Sequence, residues 1–502
     1  MKKYAAVFFM ILALFVCAAC SGPYIGEVEI FGHTVREDTA EITFSGDEIP
    51  GIPELSANLK LLEKLEKVDL GSFHMFEAEM RSLSDEFPGV TFEYIPYVSV
   101  AGSTIPNDVE ALDLEGSADY DRALLKQELS AFKNLKRVSF GNDLIPADAL
   151  AQLETAFPQV EFSAIVTYNV AGRDYREDIT GLDLSGSPVT EDLLDALKHF
   201  PQLEEVDLHG TGMPREQLLA LKTAYPDIML KAEVELAGEI LSTEAEELDF
   251  NNKLISDYDQ FYETLALFDH LSRVEMCDCG LSNELLGALR DAYPNTKFVW
   301  RIYLGRKSLR TDAVAFSTLV GISDYLTSED IEVLKYCTDL QSLDLGHQAL
   351  TDLSVIGEYL TELRILIVAD NRITDLSPLA KLPHLHYLEF FVNQVTDLTP
   401  LAQCRELVDL NISCNPVSDI TPILDLPLLE RLWMVAVRVS GEDVALLRET
   451  YPEATVSIWG NGSTDQGWRT HDRYFAMMDM YYKGDYMSEE FSKYDGLVGN
   501  AE

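Results

Sequence analysis

A strict 22-residue repeat near the C-terminus restricts the fold of this 502-residue chain more than any other feature. Within residues 363–426 three residue types return at a fixed spacing: Asn371, Asn393 and Asn415; Ile373, Val395 and Val417; and Pro378, Pro400 and Pro422. Apolar residues, mostly leucine, fill positions 1, 4, 6 and 11 of each copy. One copy cannot bury this frame alone, so the copies must stack. The repeat therefore predicts a solenoid in which each turn gives one short strand to a parallel sheet.

The same frame continues toward the N-terminus, where its spacing alternates between short and long. About fourteen turns can be placed between Thr39 and Leu429, and positions 4 and 6 alternate as in a strand. Each long spacing adds a helical stretch that ends at an aromatic–proline pair, then a β-rich run and a turn glycine. These glycines are Gly32, Gly102, Gly172, Gly238 and Gly305. The predicted fold class is an α/β leucine-rich-repeat solenoid with its parallel sheet on the concave face. Its N-terminal half carries a helix plus a β-hairpin every ~70 residues.

The first twenty residues have the pattern of a targeting segment. Lys2 and Lys3 precede an apolar run, and Cys20 follows two alanines. This arrangement resembles a bacterial lipoprotein signal, which predicts lipidation of Cys20 and a lipid-anchored location on the outer face of the membrane. An ordinary secretory signal cut nearby is the alternative. The predicted organisation is a signal peptide (1–19), an N-terminal cap hairpin (20–38), double repeat units (39–339), 22-residue repeats with a closing turn (340–460), and a linker with an aromatic-rich tail (461–502).

Charge narrows the classes of partner. The chain has 38 Lys and Arg against 85 Asp and Glu, a formal net charge of −47, and such a field repels phosphate backbones. Nucleic acid is therefore not an expected partner. Position 5 of the frame, on the predicted concave face, is acidic through the N-terminal half. The acidic row comprises Asp69, Asp113, Asp183, Asp207, Asp249, Glu275 and Asp344. It is either a set of ordinary exposed residues or a surface screened by cations or a basic partner.

The remaining special residues fit the repeat without chemistry. The frame asparagines are expected to satisfy backbone groups at the corners of the turns. Cys279, Cys337 and Cys404 fall on core positions, and Cys277 and Cys414 fall nearer the surface. The sequence shows no metal-ligand spacing, catalytic triad or phosphate loop, so no metal, cofactor or catalytic residue is predicted.

The concave positions of the C-terminal half are apolar and aromatic. They include Ile365, Ile367, Tyr387, Phe391, Trp433 and Val435. Exposed groups of this kind on one face usually mark a binding surface, which makes these six the predicted recognition site. The alternative is that the tail from Trp468 onward folds over them.

Three segments give the C-terminal repeats a family likeness. Residues 371–379, 393–401 and 415–423 read NRITDLSPL, NQVTDLTPL and NPVSDITPI, and they resemble the repeats of internalin-type proteins of the bacterial surface. The resemblance implies a curved solenoid with parallel strands inside, short irregular or 3₁₀ segments outside, and protein recognition as its use.

These observations predict a non-catalytic, lipid-anchored extracellular protein that binds a protein or peptide on its concave face. One alternative is a structural or assembly protein of the cell envelope that uses its acidic N-terminal half. A remote alternative is an enzyme with a site near the C-terminal tail.

Overall fold

The computed structural model describes residues 25–117, 119–188, 192–318, 325–483 and 491–498. The predicted signal peptide, Cys20 and the first residues of the predicted cap lie outside this part of the chain. The chain divides into two compact units, residues 1–182 with 192–203 and residues 183–191 with 204–502. Within the described ranges, no helix is both long and apolar enough to span a bilayer.

The first unit contains two blocks of the same design. The first block comprises the hairpin strands β1 (Glu27–Ile30) and β2 (His33–Arg36), then β3 (Glu41–Thr43), α1 (Ile52–Leu59), β4 (Lys67–Met75), α2 (Glu77–Glu86), β5 (Thr91–Val100) and β6 (Ser103–Pro106). The second comprises β7 (Ala111–Asp113), α3 (Arg122–Leu129), β8 (Arg137–Pro146), α4 (Ala147–Ala156), β9 (Glu161–Val170) and β10 (Arg173–Arg176). Each block has three parallel strands and its own apolar cluster.

The next two blocks repeat this plan. One comprises β11 (Gly181–Asp183), α5 (Leu193–Ala196) with a 3₁₀ turn (Leu197–His199), β12 (Glu205–Asp207), α6 (Arg215–Ala224), β13 (Met229–Lys231), β14 (Glu233–Leu236) and β15 (Glu239–Ser242). The other comprises β16 (Glu247–Asp249), α7 (Tyr258–Leu265), β17 (Arg273–Glu275), α8 (Asn283–Ala292), β18 (Lys297–Val299), β19 (Arg301–Leu304) and β20 (Lys307–Arg310).

The run after each aromatic–proline pair differs from the sequence prediction. That run was expected to form only a hairpin, but its first part is a third parallel strand. Leu230 of β13 pairs with Val206, and Phe298 of β18 pairs with Val274, with all four side chains buried. The apolar side chain fixes this strand in the core, and the chain then turns back as the expected hairpin.

The hairpin turns confirm the predicted role of the glycines. Ala101 and Gly102, for example, both have positive φ values, 46° and 79°. Two consecutive left-handed residues are typical of the type I′ turn, whose twist suits a two-residue hairpin. All five predicted turn glycines have positive φ.

The C-terminal part of the second unit is a seven-stranded parallel sheet in the order β21-β22-β23-β24-β25-β26-β27. The strands are β21 (Ala315–Ser317), β22 (Ser342–Asp344), β23 (Ile365–Ile367), β24 (Tyr387–Glu389), β25 (Asp409–Asn411), β26 (Arg431–Trp433) and β27 (Thr455–Ser457). The returns use 3₁₀ segments (Asp330–Tyr336, Ser377–Lys381, Thr399–Gln403 and Thr421–Ile423) and the helices α9 (Ser354–Tyr359) and α10 (Gly441–Thr450). A 3₁₀ turn (Trp468–Thr470), α11 (Asp472–Lys483) and α12 (Phe491–Val498) follow.

Two features of the frame shape the corners of these turns. The amide of Asn393 accepts a hydrogen bond from the Ile373 N–H at 2.9 Å and donates to the carbonyls of Val368 and Phe390, both at 3.0 Å. This confirms the structural role predicted for the asparagine ladder. Among the described residues of the second unit, the non-glycine residues with a left-handed backbone at position 8 are Asn252, Asp278, His347, Asp370, Val392, Cys414 and Ala436. Asparagine, aspartate and histidine adopt this conformation more readily than other residues with a side chain, so Val392, Cys414 and Ala436 are the unfavourable cases.

Candidate functional site

The side chains at positions 3 and 5 of β22 to β26 share one face of the parallel sheet. The six residues of the predicted recognition site are all at most 7% exposed there: Ile365, Ile367, Tyr387, Phe391, Trp433 and Val435. All but Val435 are buried because residues 463–483 and 491–498, here called the C-terminal segment, lie over the face. The structure thus has the arrangement that the sequence offered as its alternative. The first five join one apolar cluster with the segment, whereas Val435 lies outside that cluster, beside Gly460.

Trp468 is the aromatic centre of this contact. Its fully buried ring lies 5.3 Å from the ring of Tyr387 and 5.2 Å from that of Trp433, measured between centroids. The guanidinium of Arg431 is 4.5 Å from the Trp468 ring, within the range of a cation–π contact. The segment adds further buried side chains to the cluster, namely Met477, Met478, Met480, Tyr481 and Tyr494.

A buried ion pair lies beside the aromatic centre. Asp409 on β25 has no exposed side-chain surface, and it accepts a hydrogen bond from Arg431 Nε at 2.7 Å. Arg473 of α11 donates two more to Asp409, at 2.8 and 2.9 Å, and also pairs with Glu430 at 2.7 Å. Each carboxylate oxygen of Asp409 therefore has a charged donor, which offsets the cost of burying it.

Glu389 on β24 is a second buried carboxylate. It accepts hydrogen bonds from Trp468 Nε1 at 2.9 Å and from the Tyr387 hydroxyl at 2.7 Å, and Arg469 lies 3.5 Å away. Burial raises the pKa of Glu389 above its ordinary value, and these donors offset only part of that effect. Burial also raises the pKa of Tyr387 well above the usual range, so this phenol stays a donor.

Side chains of the face also hold the backbone of the segment. Asn411 Nδ2 donates to the carbonyl of Ser463 at 2.9 Å, Trp433 Nε1 to that of Asp465 at 2.7 Å, and Arg431 Nη1 to that of Trp468 at 3.2 Å. These three donors come from two neighbouring strands. Their acceptors span six residues of the segment, from Ser463 to Trp468, before α11 begins.

The predicted acidic row has a local role in the structure. Its six aspartates each accept a hydrogen bond from the backbone N–H two residues later, at 2.8–3.1 Å; they are Asp69, Asp113, Asp183, Asp207, Asp249 and Asp344. This is an Asx turn, which bends the chain where each strand ends. Glu275 instead pairs with Arg273 and Arg310. Local turn chemistry is therefore sufficient to explain the aspartates.

The frame places four of the five cysteines correctly, but the prediction that Cys277 lies nearer the surface is wrong, because this side chain is 3% exposed. Cys277, Cys279, Cys337 and Cys404 are buried, and Cys414 is half-buried. Burial raises the pKa of the Cys404 thiol to about 12, which makes it unreactive. Among the described residues, no three His, Cys, Asp or Glu side chains are grouped so as to hold a metal ion.

Sequence reasoning offered the tail as a possible cover of the face, but it missed the charged residues that join the two. Glu389, Asp409 and Arg431 are charged residues at positions 3 and 5, where Ile365, Ile367, Tyr387 and Trp433 are apolar or aromatic. Because an isolated charge cannot be buried without a partner, these residues were a sign of a cover that supplies opposite charge. Arg469 and Arg473, four residues apart in the aromatic tail, were the corresponding sign in the cover.

Parallel strands in a periodic frame with short returns between them are the architecture of a leucine-rich-repeat fold. A family model described as leucine-rich repeats in two copies matches residues 361–403, within the seven-stranded sheet. No curated protein matches the chain.

Similar solved structures include two internalins of Listeria monocytogenes and a leucine-rich-repeat protein of Leptospira interrogans. The first internalin is 17% identical over 69% of this chain and 91% of its own, with a TM-score of 0.26. The Leptospira protein is 15% identical over 84% of this chain and 96% of its own, with a TM-score of 0.24. Internalin C2 is 19% identical over 52% of this chain and 81% of its own, with a TM-score of 0.20.

Proposed function

We propose that this chain is a non-catalytic recognition protein, lipid-anchored through Cys20 on the outer face of a bacterial membrane. It binds a protein or peptide on the concave face of β22 to β26. The observation that carries the proposal is the make-up of that face. The face combines the aromatic side chains Tyr387 and Trp433 with the buried carboxylates Glu389 and Asp409, and it already holds an extended stretch and a helix of the same chain.

The composition of the contact is that of an interface. Tryptophan, tyrosine and arginine supply most of the energy at protein–protein interfaces, typically in desolvated centres, and leucine is under-represented there. The centre of this contact consists of Trp433, Trp468, Tyr387, Arg431 and Arg473. Leucine-rich-repeat proteins commonly mediate protein–protein interactions, and this face follows that use.

The two alternatives have weaker support. A cell-envelope assembly role for the acidic N-terminal half loses its main argument because those aspartates are engaged in Asx turns. An enzyme site beside the tail would use Glu389 and Asp409, but these carboxylates are 1% and 0% exposed. A substrate cannot reach them while the segment lies in place.

Partner binding is tested by photo-cross-linking on intact cells. A photoreactive phenylalanine analogue replaces Phe391, one of the six residues of the proposed face, and Leu254, an exposed control position in another block. We expect a discrete adduct with another protein from position 391 and none from position 254. Equal adducts at both positions, or none at 391, would overturn the proposed recognition site.

The anchor is tested separately. Cys20→Ala should abolish incorporation of an alkyne fatty acid and release the protein from the membrane fraction. The matched control Cys17→Ala lies three residues away and should change neither. Membrane retention of the Cys20→Ala protein would exclude lipidation at this residue as the anchor.

A further inference from the structure

We propose that the C-terminal segment is an intramolecular ligand of the concave face, and that the partner carries the same chemistry. That partner is a protein segment with an extended stretch that ends in a tryptophan, followed by a short helix. An arginine lies at the start of the helix, five residues after the tryptophan, as Arg473 does after Trp468. The inference rests on the proposed function, because it names the partner of the same face and the way in which access to it is controlled.

The first argument is the way in which the face holds the extended stretch. Asn411, Trp433 and Arg431 donate to three backbone carbonyls between Ser463 and Trp468. Contacts of side chains with main-chain carbonyls do not depend on the sequence of the bound strand. Peptide-binding proteins use main-chain bonds for affinity and side-chain pockets for specificity. The face therefore has the equipment to hold an extended peptide of another chain.

The second argument is that the face and the segment carry opposite charges. The face supplies the carboxylates Glu389 and Asp409, and the segment supplies the guanidiniums Arg469 and Arg473. A permanent cover needs only apolar side chains, since buried ion pairs are weak sources of stability and their removal together is often neutral. Such pairs do fix register and select a partner. The Asp409 pair therefore selects an arginine at one place along the bound helix.

The third argument is that the segment can leave as a unit. Its covalent connection to β27 is the stretch 458–462, which contains two glycines. Phe475 and Tyr482 on the outer side of α11 are 55% and 71% exposed, so the helix is buried on its inner side and open on the other. Its removal breaks none of the backbone bonds that join β22 to β26, because those strands pair with one another.

Because the tethered segment occupies the face, a partner must bind with enough affinity to compete with it. A short flexible linker gives an effective concentration on the order of millimolar. A partner that binds only the open face has its apparent affinity lowered by the fraction of molecules that are open. Only a segment with a matching tryptophan and arginine gains enough contact to displace the resident one.

The first test follows native-state hydrogen exchange of the full chain in low urea. We expect amides of α11 to exchange through an opening with a smaller urea dependence than amides of β23 to β25. This would show that the segment leaves while the sheet remains folded. Exchange of α11 and the strands in one step, with one urea dependence, would overturn the proposal because the segment would then be a permanent part of the core.

The second test measures binding of a fluorescein-labelled peptide with the sequence of residues 463–483. The full chain with Arg473→Glu places a carboxylate against Asp409 and should free the face. We expect this variant to bind the peptide at least tenfold more tightly than wild type. The control Arg405→Glu alters an exposed ion pair with Asp425 and should behave as wild type. A peptide with alanine in place of Trp468 and Arg473 should not bind.

The outcomes separate this inference from the proposed function. If α11 opens but the folded Arg473→Glu chain does not bind the peptide, the stated partner chemistry is overturned. The cross-linking result at position 391 is unaffected by that outcome. If Arg473→Glu fails to fold, as judged by circular dichroism, the exchange experiment decides, because it uses the wild-type chain. Equal binding of the two peptides would also overturn the assignment of Trp468 and Arg473 as the recognised side chains.

Discussion

Replacement of Arg473 by leucine is the most direct test of the contact between the C-terminal segment and the sheet. Arg473 is 3% exposed, and its guanidinium makes two hydrogen bonds to Asp409 and one to the Leu497 carbonyl at 3.1 Å. Removal of one partner of a buried ion pair costs ~3–5 kcal/mol. Asp409 retains the bond from Arg431 at 2.7 Å, so we expect a loss of about 3 kcal/mol, at the lower end of that range.

The assay is urea unfolding followed by tryptophan fluorescence. All four tryptophans lie at position 300 or later, so the signal reports the second compact unit alone. Arg405→Leu removes an exposed pair and should cost less than about 1 kcal/mol. A loss below about 1 kcal/mol for Arg473→Leu as well would refute the reasoning that Asp409 depends on this partner.

Three further predictions concern the corners and the pH dependence of the second unit. Asn393→Ala leaves the Ile373 N–H without its partner, whereas the carbonyls of Val368 and Phe390 keep the bonds from Asn371 and Asn415, so it should cost about 2 kcal/mol in the same urea assay; a loss below about 1 kcal/mol would contradict the ladder. Val392→Asn should raise stability by about 1 kcal/mol, because Val392 has a φ of 56° and a 40% exposed side chain; a lower melting temperature would contradict the strain. Glu389 has a raised pKa when folded, so the folded chain binds its proton more tightly than the unfolded chain. The free energy of unfolding therefore falls as the pH rises from the ordinary pKa of a glutamate, about 4, through the raised pKa of Glu389 in the folded chain. Glu389→Gln should reduce that fall when urea unfolding is measured across this range, and an unchanged slope would contradict the assignment.

The repeat frame could be predicted because its information is local and periodic. Asn393 and its two equivalents, the turn glycines and the core cysteines Cys279, Cys337 and Cys404 each follow from their position in the frame. The third strand of each block could not be predicted. A β-rich run such as residues 161–170 reads as a strand, but the sequence does not say which strand lies beside it. The structure pairs its first part with β8 in parallel and its last part with β10 in antiparallel fashion.

The covered face was open to two interpretations for a different reason. The apolar residues Ile365 and Tyr387 look the same whether they meet solvent, a partner or a distant part of the chain. The decisive contacts join β25 to α11, about sixty residues later, and periodicity carries no information on such pairs. The charges at Glu389 and Asp409 on the face, with Arg469 and Arg473 in the tail, were the signal of a cover, and this signal becomes visible only when positions 3 and 5 are examined for charged residues.

The hairpins that separate the N-terminal blocks have a consequence for how chains of this design can change length. Each block has its own three-stranded ladder and ends in an antiparallel hairpin, so a cut between blocks severs no parallel ladder. Duplication or loss of DNA that encodes a whole block leaves every remaining strand with its neighbours. The seven-stranded sheet lacks such boundaries, and the loss of one turn there would shift Glu389 or Asp409 out of register with the arginines of α11. Evolution by whole units is therefore expected upstream of residue 315, and a constant number of turns downstream of it.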